Sequence, residues 1–178
     1  MSPRKFFTAY RQAFGTLEPE QVGPLEQLFS WLTSEHIDAR HTAYMLATVK
    51  HETAETYLPV REAFWLSEAW RKRNLRYWPW YGRGFVQLTW ERNYKLAGAQ
   101  LGLDLTTDPD VAMQPVIAYK VMVRGMQQGW FTGVRLADYI GASTDYRRAR
   151  LVINGLDKAE LIAGYAIKFQ HCLENSNA

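Results

Sequence analysis

Glu52 stands in the run His51-Glu52-Thr53, and Glu62 follows it beyond Pro59 in Pro59-Val60-Arg61-Glu62-Ala63-Phe64. Two carboxyl groups brought to face one another can break an acetal. One, protonated, hands its proton to the leaving oxygen, while the other works from the far side of the sugar. A separation of roughly 6.5–9.5 Å leaves room for a water and inverts the anomeric carbon, whereas about 5 Å gives retention. Sequence spacing leaves that choice open. Glu55 lies one helical turn from Glu52, and Glu68 lies beyond Glu62. The second carboxylate can therefore be Glu62, Glu55 or Glu68. Glu62 is preferred, because chain reversal at Pro59 can carry it across a groove. Each acid also has an ordinary use: Glu52 as a solvated helix-end residue, Glu62 as the partner of Arg61 or Lys72. A zinc site of the type His-Glu-x-x-His fails, since position 55 is Glu. His36, His41, His51 and His171 form no other ligand pattern, so neither a metal nor an organic cofactor is expected.

The most specific stretch is Tyr81-Gly82-Arg83-Gly84-Phe85-Val86-Gln87-Leu88-Thr89-Trp90, followed by Asn93-Tyr94. Its glycines can let backbone approach a ligand. The Gln87 and Asn93 amides can donate to and accept from sugar hydroxyl and N-acetyl groups. Aromatic rings offer faces on which a pyranose can lie. Trp90 and Tyr94 can equally serve as core residues of a helix.

The elements that must position these groups read as helices. Ser2-Pro3 opens the first, Phe6, Phe7, Tyr10 and Phe14 share a face, and Gly15 stops it. Leu25, Leu28, Phe29 and Leu32 mark a second. Asp38 can cap a third that ends at His51-Glu52. Ser67-Glu68 opens a short basic helix to about Leu75. The run Trp78 to Gly84 reads as a loop, and Phe85 to Leu88 as a short strand. Trp90 to Leu101 forms a helix closed by Gly102, Asp108-Pro109 begins a short turn, and Pro115 opens a helix to Gly129. Asp157-x-x-Glu160 reads as a capping box for a last helix to about Leu173. The expected fold is mainly α, with a small β element beside the cleft.

Four pieces in order resemble the family 19 glycoside hydrolases: His51-Glu52-Thr53; the Tyr81-Gly82-Arg83-Gly84 block through Asn93-Tyr94; Asp108-Pro109-Asp110; and Ile153-Asn154-Gly155. That group holds plant-type chitinases and compact bacteriophage endolysins, and the stretch Leu161 to Phe169 is also similar to the endolysins. The resemblance implies a lysozyme-like, two-lobed helical fold and an inverting mechanism. It makes Glu52 the general acid, and makes Thr89 the hydroxyl residue that helps hold the attacking water. Gln87, Asn93 and Asn154 become substrate-binding or site-shaping residues, and Tyr81 and Arg83 the loop at the cleft. Glu62 takes the base by role, because the family's base lies farther along the chain. The arginine that bonds the carboxylates in the plant enzymes falls near Leu161, and their disulfides have no counterpart.

Composition bounds the rest. The chain has 178 residues, with 21 Lys and Arg against 18 Asp and Glu, for a formal charge of +3. That favours anionic partners. One cysteine, Cys172, excludes an internal disulfide framework. No apolar run is long enough to span a membrane, and the N-terminus has no signal-peptide core. The chain is thus expected to begin near Met1, to be made in the host cytoplasm, and to reach the cell wall after a holin opens the membrane. A single catalytic domain over 1–178, without a wall-binding domain, suits a thin Gram-negative wall. The expected function is that of an endolysin cutting β-1,4 bonds between N-acetylmuramic acid and N-acetylglucosamine. Its partner is the peptidoglycan glycan strand, with no nucleic acid, no stable membrane insertion and a monomeric state. A chitinase is the near alternative. A non-catalytic polyanion binder is the distant one, since Trp70-Arg71-Lys72-Arg73-Asn74-Leu75-Arg76-Tyr77-Trp78 interleaves cations with aromatics.

Overall fold

The computed structural model describes residues 1–177. Among the described residues there are seven α-helices: α1 (Pro3–Phe14), α2 (Pro19–Ser34), α3 (Ala39–Glu52), α4 (Glu68–Asn74), α5 (Glu91–Leu101), α6 (Pro115–Gln128) and α7 (Ala159–Asn177). Three 3-10 segments, Pro109–Met113, Leu136–Asp138 and Arg148–Val152, lie between the later helices. The only sheet among the described residues pairs β1 (Val60–Arg61) antiparallel to β2 (Arg83–Gly84). The fold is mainly α with a two-stranded ribbon, as the sequence periodicities require.

Helix α3 is the axis of the body. Every residue from Thr42 to Lys50 is buried, as expected for a helix covered on all sides. Ala43 and Ala47 keep its surface low, and α7, which presents Ala159, Ala163 and Ala166 among its buried residues, packs along it. Helix α1 covers α7 in turn. Phe6 stacks near Phe169 at 6.5 Å, and Phe14 lies 4.7 Å from the same ring. One hydrophobic cluster runs from Phe6 to Leu173 and includes the buried Cys172.

Lys50 is the exception in this core. Its ammonium is nearly sealed from water, yet it sits 2.9 Å from Glu55 and 4.9 Å from the Phe14 ring. Tyr10 and Tyr57, joined by a 2.7 Å hydrogen bond, complete the surrounding aromatic wall. Pairing plus ring faces is what a buried cation needs.

Two boundaries differ from the sequence expectation. Phe85 to Leu88 is not a strand; the strand falls earlier, at Arg83–Gly84, inside the stretch expected as a loop. Arg83 and Leu88 bridge directly, with N–H···O distances of 3.2 and 2.9 Å, and the residues between them form the tip of a tight turn. Gly84, with φ at 84°, makes the turn possible, since a Cβ there would lie 3.1 Å from the Ala112 carbonyl. The last helix begins at Ala159, so the expected capping box does not form. Lys158, at φ 57°, offers its carbonyl to the Ile162 N–H instead. The Asp157 carbonyl accepts from Arg150 Nε, and the Glu160 carboxylate pairs with Arg147.

Asp38 caps α3 as expected, its carboxylate accepting the Arg40 N–H at 2.8 Å. The Arg40 side chain also bonds that carboxylate and holds its pKa down to about 2. Replacing Asp38 with Ala should cost about 1 kcal/mol in urea unfolding. Asn keeps the cap and loses only an ion pair exposed enough to be worth at most about 0.5 kcal/mol. A carboxylate with a depressed native pKa stabilises fully above its ordinary value near 3.8. The gap between wild type and Asp38→Ala should therefore narrow, by the share the charge contributes, as pH falls toward about 2.

Candidate active site

Helix α3 ends where its chemistry begins. The Thr53 hydroxyl, fully buried, folds back to the Val49 carbonyl at 2.7 Å and stops the helix directly after Glu52. A helix C-terminus repels a carboxylate. The Arg150 guanidinium offsets that repulsion, donating from Nη1 to Glu52 Oε1 at 2.6 Å. Arg150 is only 4% exposed and the Glu52 side chain 14%. Glu52 Oε2 has no hydrogen-bond partner among the described residues. Beside it, burial lowers the His51 pKa against the opposing pull of Glu52, and Arg150 lowers it further. Arg150 is the cation bonded to Glu52.

Glu62 emerges from β1 and is held by several donors. Tyr77 donates its hydroxyl to Oε1 at 2.6 Å, and the Gly82 N–H donates to Oε2 at 2.9 Å. Its backbone is pinned as well. The Glu62 N–H bonds the Gly82 carbonyl at 2.7 Å, and the Arg71 Nε–H donates to the Glu62 carbonyl at 2.7 Å. Burial and the bond to Glu62 push the Tyr77 hydroxyl up to about 12, so it stays a donor. Neither Arg61 nor Lys72 pairs with Glu62. Arg61 binds Asp110 at 2.8 Å, and the Lys72 ammonium lies 4.9 Å from the Trp78 ring.

Glu52 and Glu62 line one cleft of about 750 Å³ together with Gln87, Thr89, Asn93 and Asn154. Thr89, in the cleft lining, donates to the Gln87 carbonyl at 2.7 Å, which leaves its oxygen free to accept. Asn93 Nδ2 donates to the Thr89 carbonyl, and Gln87 Nε2 to the Val60 carbonyl. Gln87 Oε1 and Asn93 Oδ1 have no protein donor among the described residues. The site thus presents acceptors to whatever enters. Glu55 and Glu68 are elsewhere: Glu55 pairs with Lys50, and Glu68 is held by Trp78, Tyr81 and Arg71.

Tyr81 and Arg83 do not reach this cleft, which corrects their expected place. Both are buried and line a second cavity behind the ribbon. The Arg83 guanidinium lies 3.7 Å from the Tyr81 ring centroid and donates to Asp110 and to the Pro79 carbonyl at 2.7 and 2.8 Å. Burial works against charge on Asp110, but Arg61 and Arg83 outweigh it and hold its carboxyl below the usual range. Arg83 fastens the loop instead of meeting a ligand. Gly82 likewise makes room for protein: a Cβ there would stand 2.7 Å from Gln87 Oε1 and 3.2 Å from Glu62 Oε2.

Two residues that shape the site escaped the sequence reading. Arg150 supplies the guanidinium that was expected near Leu161, which is instead exposed on α7. Its one local sign is an arginine enclosed by the buried Ala149 and Val152. Tyr77 stands in the basic aromatic run, where nothing local points to Glu62. Among the described residues, no three His, Cys, Asp or Glu side chains gather as a cation site.

Comparison with known proteins agrees with this geometry. Residues 35–132 match glycoside hydrolase family 19, chitinase class I. Chitinase 11 of Oryza sativa subsp. japonica is 52% identical over 46 residues, which cover 25% of this chain and 18% of that protein. Endochitinase A of Zea mays is 30% identical over 142 residues, covering 75% of this chain and 49% of its own. The chain thus spans less than half the length of these plant relatives. Chitinase C from Streptomyces griseus HUT6037 superposes with a TM-score of 0.63 at 21% identity, covering 99% of this chain and 76% of that one. A bacterial family 19 chitinase gives 0.58 at 23% identity, covering 96% and 84%. The architecture is accordingly the lysozyme-like helical fold of these enzymes. With the family pattern running through more than half of the chain, including both glutamates and the Gly-Arg-Gly turn, the protein belongs to glycoside hydrolase family 19.

Proposed function

We propose that the protein hydrolyses β-1,4 glycosidic bonds between the amino sugars of bacterial peptidoglycan. The observation that carries this reading is the pair of carboxylates lining one cleft, each held in a different way. Glu52 keeps one oxygen on Arg150 and one free. Protonated, that free oxygen delivers its proton to the glycosidic oxygen as the bond breaks. The sugar left behind has oxocarbenium character and is met by water. Glu62, its orientation fixed by Tyr77 and the Gly82 N–H, takes the water's proton. Thr89 accepts a hydrogen bond from that water while donating its own proton to the Gln87 carbonyl. The unpartnered oxygens of Gln87 and Asn93 suit the N–H of an N-acetyl group and sugar hydroxyls. No step requires a cofactor.

The formal charge of +3 favours an anionic polymer over a neutral one, and peptidoglycan carries stem-peptide carboxylates. In this reading the protein is a phage endolysin that accumulates in the host cytoplasm and reaches the wall once the membrane is opened, acting as a monomer. No helix among the described residues is long and apolar enough to cross a membrane. A chitinase is the second reading, favoured by the names of the plant and bacterial relatives. Non-catalytic binding of nucleic acid is less well served by the basic run, because Arg71 is turned inward onto the Glu62 and Ala63 carbonyls.

Mass spectrometry of digested peptidoglycan should reveal new reducing N-acetylmuramic acid ends. Cleavage of chitin alone would instead favour the second reading, and neither cleavage would defeat both. Glu52→Gln keeps an oxygen for Arg150 but has no proton to give. It should unfold like wild type and lose activity by about 10³-fold.

Gly82→Ala tests the geometry without removing any reactive group. Its methyl must displace Gln87 and Glu62. A shift of this kind should lower kcat by on the order of tenfold to a hundredfold. Wild-type kcat in a folded Gly82→Ala protein would remove Glu62 from the mechanism.

A further inference from the structure

The cleft continues past the two carboxylates to Trp90 and Arg92, which also line it. Trp90 is 40% exposed, a large apolar surface to leave open. Its ring packs against Tyr77 at 4.9 Å, and Tyr77 is the residue that donates to Glu62. A sugar resting on Trp90 would therefore be one aromatic ring away from the proposed base. The chain holds Trp90 there at a cost. Its φ of 75° lies where L residues are strained, and its N–H is tied to the Trp80 carbonyl at 2.9 Å.

The charge beside this ring has no carboxylate partner. The Arg76 guanidinium lies 5.2 Å from the Trp90 centroid. Arg92 projects from the first turn of α5. Neither has a carboxylate within 4.0 Å among the described residues. Glu91, the neighbouring acid, is taken by Lys95 at 2.7 Å. By contrast, Arg61, Arg71, Arg83 and Arg150 each have a carboxylate partner. A neutral N-acetylglucosamine chain offers those guanidinium groups only uncharged acceptors, its hydroxyl and acetyl carbonyl oxygens. A glycan whose sugars bear carboxylates gives them charge-assisted hydrogen bonds.

We infer that Trp90, Arg76 and Arg92 form a specificity subsite for N-acetylmuramic acid carrying its stem peptide. The pyranose packs against the exposed part of Trp90, beside the Arg76 guanidinium, and the peptide carboxylates are taken by the two arginines. This rests on the peptidoglycan reading above and names the residues that would separate that substrate from chitin.

The test compares kcat/KM on two soluble preparations of one peptidoglycan, native and with its carboxylates converted to amides. Wild type should prefer the native form, while Arg76→Gln/Arg92→Gln should lose about tenfold on native material and discriminate little between the two. Arg4→Gln/Lys5→Gln, which removes the same charge from exposed positions on α1, should keep the wild-type ratio. Three results would overturn the subsite alone: a wild-type ratio near one, a wild-type ratio in the Arg76/Arg92 variant, or an equal loss in the Arg4/Lys5 variant. Failure of wild type to cut native peptidoglycan at all would overturn the subsite and the peptidoglycan reading together.

Discussion

A guanidinium buried against a carboxylate at the end of a helix is the interaction on which the cleft depends. Arg150 and Glu52 lie 98 residues apart in the chain and 2.6 Å apart in space. Desolvating both groups is costly, and a pair of this kind is held together by further bonds to the buried partner. Here the Asp157 carbonyl supplies one, accepting from Arg150 Nε at 3.1 Å. The residues around Asp157 give up a regular helix start to do so. Local structure has yielded to the needs of the site, as happens where function and propensity conflict.

The second carboxylate is organised by a different principle. Glu62 receives neutral donors, a phenol and a backbone N–H, and has no direct cationic partner among the described residues. The ribbon that supplies Gly82 is short, but it is braced from behind. Arg83 is enclosed by Tyr81, Tyr94 and Asp110 and ties the Pro79 and Tyr81 carbonyls together. The Gly-Arg-Gly turn therefore acts on the chemistry from outside the cleft. Its arginine holds the loop, and its first glycine lets Glu62 and Gln87 approach the backbone.

Together these features give an asymmetric site. One acid is oriented by a buried cation and keeps one oxygen open; the other is fixed through both oxygens. Such asymmetry is how two chemically identical side chains take opposite parts in proton transfer. Arg92 in the cleft and Arg76 over the Trp90 ring extend the same logic outward, since neither has a carboxylate partner among the described residues.

Much of this was legible in the residues themselves. The positions of α1, α2, α3, α5 and α6 follow from caps, glycine stops and apolar spacing, all of which act within a few residues along the chain. The order of the His-Glu-Thr, Gly-Arg-Gly and Ile-Asn-Gly pieces pointed to the family and to Glu52. Tertiary structure alone decided the partners: Arg150 for Glu52, Tyr77 for Glu62, and Asp110 for an arginine that had been expected at the ligand. It also set the turn at Phe85 to Leu88 and the late start of α7. The physical reason is range. Helix periodicity and capping are decided by near neighbours, whereas an ion pair or a buried donor is chosen by whichever side chains the packed core brings within 3 Å.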